Sequence, residues 1–279
     1  VSNAGGLGLI GGGSMSAEVL REHIQKCKHA TDKPFGVNLP LLHAHIEDHI
    51  AILLEENVKI VFTSAGNPAT YTAILKAAGI TVVHVVSSTK FALKAQQAGV
   101  DAIVAEGFEA GGHNGREETT TLCLIPSVVD AVSIPVIAAG GIASDRPMLA
   151  TFALGAEAVQ IGSAFAVSEE SYAHTFFKQR VIDATEGKTI LSLKKLTPVR
   201  LLKNTFYEQV KQAETNCAST EDLRNILDKG RSKKGIFEWN LEEGELEIGQ
   251  ASAQLNSILP AAVILKTIWE EFEQVRKTI

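Results

Sequence analysis

The sequence predicts an α/β protein. The expected fold is a TIM (β/α)8 barrel that begins without its first strand and carries a helical excursion after its last. Three observations lead there. Short runs rich in Val and Ile recur at intervals of about 20 to 30 residues, each followed by a helical pattern. These strands have the composition of strands covered on both faces. Glycines and small polar residues gather where the runs stop, which is how a barrel presents chemistry at one mouth.

Val1-Ser-Asn-Ala-Gly5 reads as the tail of a helix running into its C-terminal glycines. A strand over residues 7–10 ends in Gly11-Gly-Gly13, and Ser16 caps a helix reaching about residue 28, with Glu18 in its first turn. Pro34-Phe-Gly-Val-Asn38 is the next strand and stops at a polar residue. Residues 44–56 form an amphipathic helix on Ile46, Ile50, Leu53 and Leu54. Residues 59–63 are a strand, with Ser64-Ala-Gly-Asn-Pro68 as its terminal loop, and 69–78 a helix ended by Gly79. Residues 81–86 are a strand finishing at Ser87 and Ser88, and 89–98 a helix ended by Gly99. A strand over 101–105 enters the loop Glu106-Gly-Phe-Glu-Ala-Gly-Gly-His-Asn-Gly115, and residues 126–132 are helical. The strand 134–139 closes in Gly140-Gly141-Ile142, the helix 145–154 stops at Gly155, and the last strand, 158–161, ends in Gly162-Ser163.

Strand–helix alternation implies a parallel sheet with right-handed crossovers. Seven units and the helix tail at Val1 make eight, so the first strand and most of the first helix are expected to lie ahead of Val1. An open doubly wound sheet is the competing architecture. It needs GxGxxG at a first strand–helix turn, and Gly6-Leu-Gly8 and Gly11 to Gly13 have another spacing.

About 115 residues follow Ser163, more than one closing helix needs. Residues 170–182, 205–217 and 221–228 read as helices, and 261–277 as an amphipathic helix with Val263, Ile264, Ile268 and Phe272 on one side. The expected organisation is a barrel over 1–168, a helical excursion over the mouth at 169–260, and a closing helix at 261–279. Gly244-Glu-Leu-Glu-Ile-Gly-Gln250 is a candidate lid element; a plain hairpin is the alternative.

The net charge of −6 argues against a nucleic-acid-binding face. The local clusters Lys194, Lys195, Arg200, Lys203 and Lys229, Arg231, Lys233, Lys234 read as solvated surface. Cys27, Cys123 and Cys217 are too few and too scattered for a disulfide scaffold or a metal site, which fits a reducing, cytoplasmic compartment. No metal is expected. No apolar run spans a membrane, and no signal peptide pattern is visible.

The chemistry is expected at the strand ends. Gly140-Gly141 and Gly162-Ser163 follow the last two strands, where barrels hold phosphate on backbone N–H groups; tight corners that simply need glycine are the plainer alternative. Asn38, Ser64 and Glu106 stand ready to hydrogen-bond a polar planar ligand. Gly111 and Gly112 allow close approach of the loop. His113 alone in that loop exchanges a proton near neutral pH. Flavin mononucleotide fits a phosphate anchor beside such groups.

Five segments carry a resemblance: Ala4-Gly-Gly-Leu-Gly8, Pro34-Phe-Gly-Val-Asn38, Glu106-Gly-Phe-Glu-Ala-Gly-Gly-His113, Ala138-Ala-Gly-Gly-Ile142 and Gln160-Ile-Gly-Ser-Ala-Phe165. Together, in this order, they resemble the nitronate monooxygenase / 2-nitropropane dioxygenase family, which includes the FMN-dependent enoyl-[acyl-carrier-protein] reductase II enzymes. The Glu106-Gly107 pair is more similar to the reductase branch. Leu196-Thr-Pro-Val-Arg200 and Gly249-Gln250 resemble family segments beyond the barrel.

The resemblance implies an FMN-binding barrel with His113 as catalytic residue facing the flavin, NADH or NADPH as co-substrate, and a substrate that is a small molecule or an acyl-carrier-protein thioester. A homodimer is consistent with it. It leaves two activities open: reduction of enoyl thioesters in fatty acid biosynthesis, and oxidation of alkyl nitronates with O2. Lys194, Lys195 and Arg200 are a candidate contact for an acidic carrier protein. A non-catalytic barrel that senses a phosphorylated ligand is a third reading. A fourth, a purine-nucleotide dehydrogenase, needs a nucleophilic Cys in a strand-end loop; Cys123, between Leu122 and Leu124, reads instead as a buried small apolar residue.

Overall fold

The computed structural model describes residues 1–278. A short 3-10 turn, Ser2–Ala4, is ended by Gly5 in the left-handed conformation. β1 (Gly8–Gly11) then leads through a second 3-10 turn into α1 (Ala17–Ala30), which Ser16 caps through the Val19 N–H. The alternation continues with β2 (Phe35–Pro40), α2 (Ile46–Glu55), β3 (Ile60–Ser64), α3 (Thr72–Ala77), β4 (Thr81–Val86), α4 (Thr89–Gln97) and β5 (Ala102–Glu106). The loop after β5 contains a two-residue strand, β6 (Gly112–His113), before α5 (Thr121–Val129). β7 (Val136–Ala139), α6 (Asp145–Ala153), β8 (Ala158–Gln160) and the one-turn α7 (Ser163–Ala166) complete the repeating part.

The seven repeating strands form one parallel sheet, ordered β1-β2-β3-β4-β5-β7-β8. The sheet is a curled partial barrel with β1 and β8 at its edges, and no strand among the described residues bridges them. Beyond it lie α8 (Thr175–Ile182), β9 (Thr189–Ser192), β10 (Val199–Leu202), α9 (Thr205–Thr215), α10 (Thr220–Leu227), α11 (Arg231–Ile236) and α12 (Ala261–Val275). α12 packs on α6 and on the first 3-10 turn, with Phe272 against Phe152 at 5.4 Å between ring centroids.

Side chains alternate across a strand, so parity assigns each strand residue to a face. Val61, Val82, Ile103 and Ala138 pack under the helices, whereas Phe62, Val83, Val104 and Ala139 form a separate cluster inside the curl. The same parity puts Asn38, Ser64, Glu106 and Gln160 on the inner face, each at or near the C-terminal end of its strand. His84 and Thr63 fall on the helix side, where Thr63 Oγ1 meets His84 Nδ1 at 2.7 Å and burial drops the imidazole pKa to about 4.

The excursion is not all helical. β9 and β10 form an antiparallel hairpin, and β10 also pairs with β6, matching Val199 to His113 and Arg200 to Gly112. All four residues of β10 are buried, so no alternating pattern marks it in the sequence. Arg200 is therefore not surface: it is 2% exposed, donates from Nε and Nη2 to the Phe108 carbonyl at 3.0 and 2.9 Å, and lies over the Phe108 ring.

Other differences have local causes. α5 begins at Thr121, five residues ahead of Pro126, because Glu109 binds its first turn from outside the helix. Cys123 is exposed on that helix instead of buried. On α12, Ile268 and Phe272 are buried as the pattern requires, but Val263 faces outward.

Candidate active site

The inner-face residues at the strand ends meet a cavity of about 250 Å³. Glu106 pairs in register with Ala139, and Ala139 with Gln160, so three adjacent strands supply its floor. Gly140, Gly141, Gly162 and Ser163 form one side, and Gly111 and Gly112 another. Glu247, Ile248, Gly249 and Ala251 cross over it from the excursion. Gly140 and Gly141 both take positive φ, 92° and 73°, a turn that an L side chain resists.

The loop after β5 is held from three directions. Both Glu109 carboxylate oxygens accept from the Thr121 N–H, at 3.0 and 3.1 Å, at the positive end of α5. Thr121 Oγ1 lies 3.0 Å from Glu109 Oε2 and 2.9 Å from the Gly140 carbonyl, tying this loop to the corner after β7. Arg200 holds the Phe108 carbonyl.

Residues 245–250 close the third side as a strap. The Gly249 N–H donates to Ser163 Oγ at 3.1 Å, and the Gln250 N–H to the Glu109 carbonyl at 2.9 Å. The approach requires Gly111, whose added Cβ would stand 2.4 Å from the Gly249 nitrogen.

The polar groups of the cavity are under-used. Glu106 has no hydrogen-bond partner among the described residues, and burial pushes its carboxyl up to about 7. Gln160 Oε1 is buried and unpartnered. No carbonyl among the described residues accepts from the N–H groups of Gly140, Gly141 or Gly162. A Cβ built on Gly162 meets nothing within 4 Å.

Free N–H groups in a glycine corner suit an anion, and free acceptors suit the hydroxyls or ring N–H of a ligand. That donor and acceptor set fits FMN at its phosphate end. The cavity is somewhat below the roughly 300–1,000 Å³ of small-molecule sites. It would therefore take only part of such a ligand, and the next polar groups lie along the inner face at β2 and β3.

There Asn38 Nδ2 meets Ser64 Oγ at 3.5 Å, and both side chains are half-buried. Neither lines the cavity. His113 does not line it either. Its exposed imidazole lines the adjoining cleft of about 200 Å³ with Leu196, Thr197, Val199, Ser232 and Glu245. Gly112 and Glu247 line the cavity, and His113 and Glu245, adjacent to them in sequence or nearly so, line the cleft.

Sequence reasoning missed the roles of Gln160 and Glu109, whereas the strap is the segment Gly244 to Gln250 read as a candidate lid element. Gln160 was legible by parity, since Val159 and Ile161 on either side are both apolar. Among the described residues no cluster of His, Cys, Asp and Glu has metal-binding geometry, and no helix is long and apolar enough to cross a membrane.

A profile of the nitronate monooxygenase family matches residues 1–50 and 43–271. The chain is 35% identical over 288 positions to a probable nitronate monooxygenase of Staphylococcus haemolyticus, covering 86% of this chain and 81% of that protein. Its structure matches FabK from Thermotoga maritima with a TM-score of 0.95 and 40% identity, over 100% of this chain and 88% of that one. It also matches a nitroalkane oxidase from Streptomyces ansochromogenes with a TM-score of 0.84 and 26% identity, over 100% and 91%.

Proposed function

The chain belongs to the nitronate monooxygenase family of oxidoreductases, and on that premise we propose that it is an FMN-dependent reductase of enoyl thioesters carried by an acyl carrier protein, with NADH or NADPH as electron source. The observation that carries the choice is Glu106. It is the acidic residue of the pair that makes this loop more similar to the reductase branch, and it stands unpartnered on the cavity floor. The likeness to FabK, an enoyl-acyl-carrier-protein reductase II, over the whole chain supports the same branch.

FMN, when bound, supplies hydride transfer. The rest falls to the chain. The N–H groups of Gly140, Gly141 and Gly162, with the Ser163 hydroxyl, hold the phosphate. Ser163 Oγ accepts from Gly249, so its own proton remains available to donate to an anion. Glu106 and Gln160 offer acceptors deeper in, and Asn38 and Ser64 offer polar groups at the further rim. His113, in the adjoining cleft, would serve as the proton donor to the substrate α-carbon. Lys194 and Lys195 are exposed near that cleft and suit an acidic carrier protein; Arg200, committed to Phe108, does not take part. A cytoplasmic location accords with this role.

Nitronate oxidation is the second reading, favoured by the names of the curated relatives and by the nitroalkane oxidase likeness. His113 would then take a proton from the carbon next to nitrogen. Steady-state assays separate the two. Enoyl-thioester-dependent oxidation of NADH or NADPH is expected; O2 uptake with an alkyl nitronate, in the absence of thioester reduction, would assign the chain to the second activity.

A further inference from the structure

The strap over the cavity contains an unusual pair. Glu245 is 4% exposed, and its Oε1 has no hydrogen-bond partner among the described residues. Its Oε2 lies 3.3 Å from Ser232 Oγ, and the same hydroxyl makes a closer contact with Glu247. One hydroxyl has one proton, so it cannot satisfy two carboxylates.

The adjacent cation, Arg231, offsets this only in part, and burial with the Glu247 charge outweighs it. Arg231 is adjacent on α11 but spends its N–H groups on the carbonyls of Ile226, Leu227 and Glu243. The remaining titratable groups facing Glu245 are Glu247 on the strap itself, and Asp228 at the end of α10 and His113 on β6 across the cleft. A buried carboxylate in this setting is left without its hydrogen bonds, whereas a buried carboxylic acid is tolerated.

The strap is otherwise tied down at both ends. The Leu202 N–H donates to the Leu246 carbonyl at 2.9 Å, while Gly249 and Gln250 reach Ser163 and Glu109. The Glu245 N–H itself donates to the Arg231 carbonyl at 3.0 Å, so releasing Glu245 to water loosens the strap at that end, beside the ties that hold Gly249 and Gln250 over the glycine corners.

We propose that Glu245 is a positioning residue for the cofactor site: residues 245–250 lie closed over the cavity while its carboxyl is neutral, and the strap opens as that carboxyl ionises. Burial, with the Glu247 charge beside it, pushes the Glu245 carboxyl up to about 7, whereas a solvated Glu ionises near ~4.3. The sign follows from linkage. Closure is fully favoured below the solvated value, weakens as pH rises toward 7, and is level above it. Glu245→Gln is neutral at every pH and keeps the strap closed throughout.

The direct readout is hydrogen exchange at the Gly249 and Gln250 amides in the full chain, corrected for intrinsic rates. Wild type and E245Q are expected to exchange alike, within about two-fold, at about pH 4, and wild type about ten-fold or more faster at about pH 7.5. E247Q removes the neighbouring charge and is expected to restore part of the protection, which keeps the test alive if E245Q folds poorly. Equal exchange in wild type and both variants at the higher pH, or faster exchange in E245Q at the lower, overturns the proposal.

Its consequence for the cofactor rests on the FMN reading and has a separate readout, the fluorescence of released FMN. Release is expected to be slower from E245Q than from wild type at the higher pH only. If E106Q and not E245Q slows it, the pH dependence belongs to the cavity floor and the strap has no part in it. Strap protection that follows Glu245 in a chain that takes up no flavin would keep the proposal and refute the FMN reading.

Discussion

Replacing Gly162 with alanine adds one methyl group beside the cavity, in space the protein does not use. The built Cβ meets no atom within 4 Å. The backbone there has φ −102° and ψ −63°, on the negative-φ side that alanine tolerates. Nothing in the fold opposes the change, so its effect on stability without ligand is expected within about 0.5 kcal/mol. A gain of ~0.4–1 kcal/mol through the unfolded chain is the other permitted outcome.

Binding behaves differently if a phosphate rests on the Gly162 N–H. The methyl then competes for that space, and crowding of this kind costs about 1–3 kcal/mol. That corresponds to FMN binding weaker by about 5- to 150-fold. The assay is quenching of FMN fluorescence on titration, beside a thermal melt of flavin-free protein. An unchanged melt together with FMN affinity within about two-fold of wild type would refute phosphate binding at this corner.

Three further outcomes follow from the same geometry. Gly111→Ala drives a methyl into the strap backbone and is expected to destabilise by ~1–3 kcal/mol and to raise exchange at Gly249, both measurable by denaturant melt and hydrogen exchange. Glu106→Gln removes a carboxyl that ionises near 7 in the folded protein but near ~4.3 unfolded. The stability that group allows is complete below the lower value and lost as pH rises toward the upper. The variant should therefore match wild type near pH 4 and be more stable by roughly 1–3 kcal/mol near pH 7.5, read from paired melts. His113→Ala lies outside the cavity and is expected to retain FMN while turnover falls about 10²- to 10⁴-fold; loss of flavin in step with turnover would make His113 a binding group.

The barrel was legible because short runs rich in Val and Ile recur with helices between them, and each unit ends in a glycine or small polar residue. The strand-end loops could be read in advance for the same reason: Gly140-Gly141 and Gly162-Ser163 end consecutive strands of the sheet. Residues whose roles depend on distant partners were not legible. Glu109 is one acid in a glycine-rich loop, and only the fold shows that it caps α5 and moves that helix start by five residues. Arg200 sat in a run of positive charge, yet only the pairing of β10 with β6 shows that it is buried. His113 illustrates the limit of reading by adjacency. It follows Gly112 directly, but strand alternation turns its side chain away from the cavity that Gly112 lines.

On the proposed function, electrons pass from a nicotinamide to an enoyl thioester through FMN. Anaerobic rapid mixing of the flavin-loaded protein with NADPH or NADH tests it most directly. Loss of the oxidised flavin absorbance at a rate sufficient for turnover, and its return on adding an enoyl thioester, is the expected result. Bleaching by an alkyl nitronate, with the nicotinamides inert, would contradict the claim.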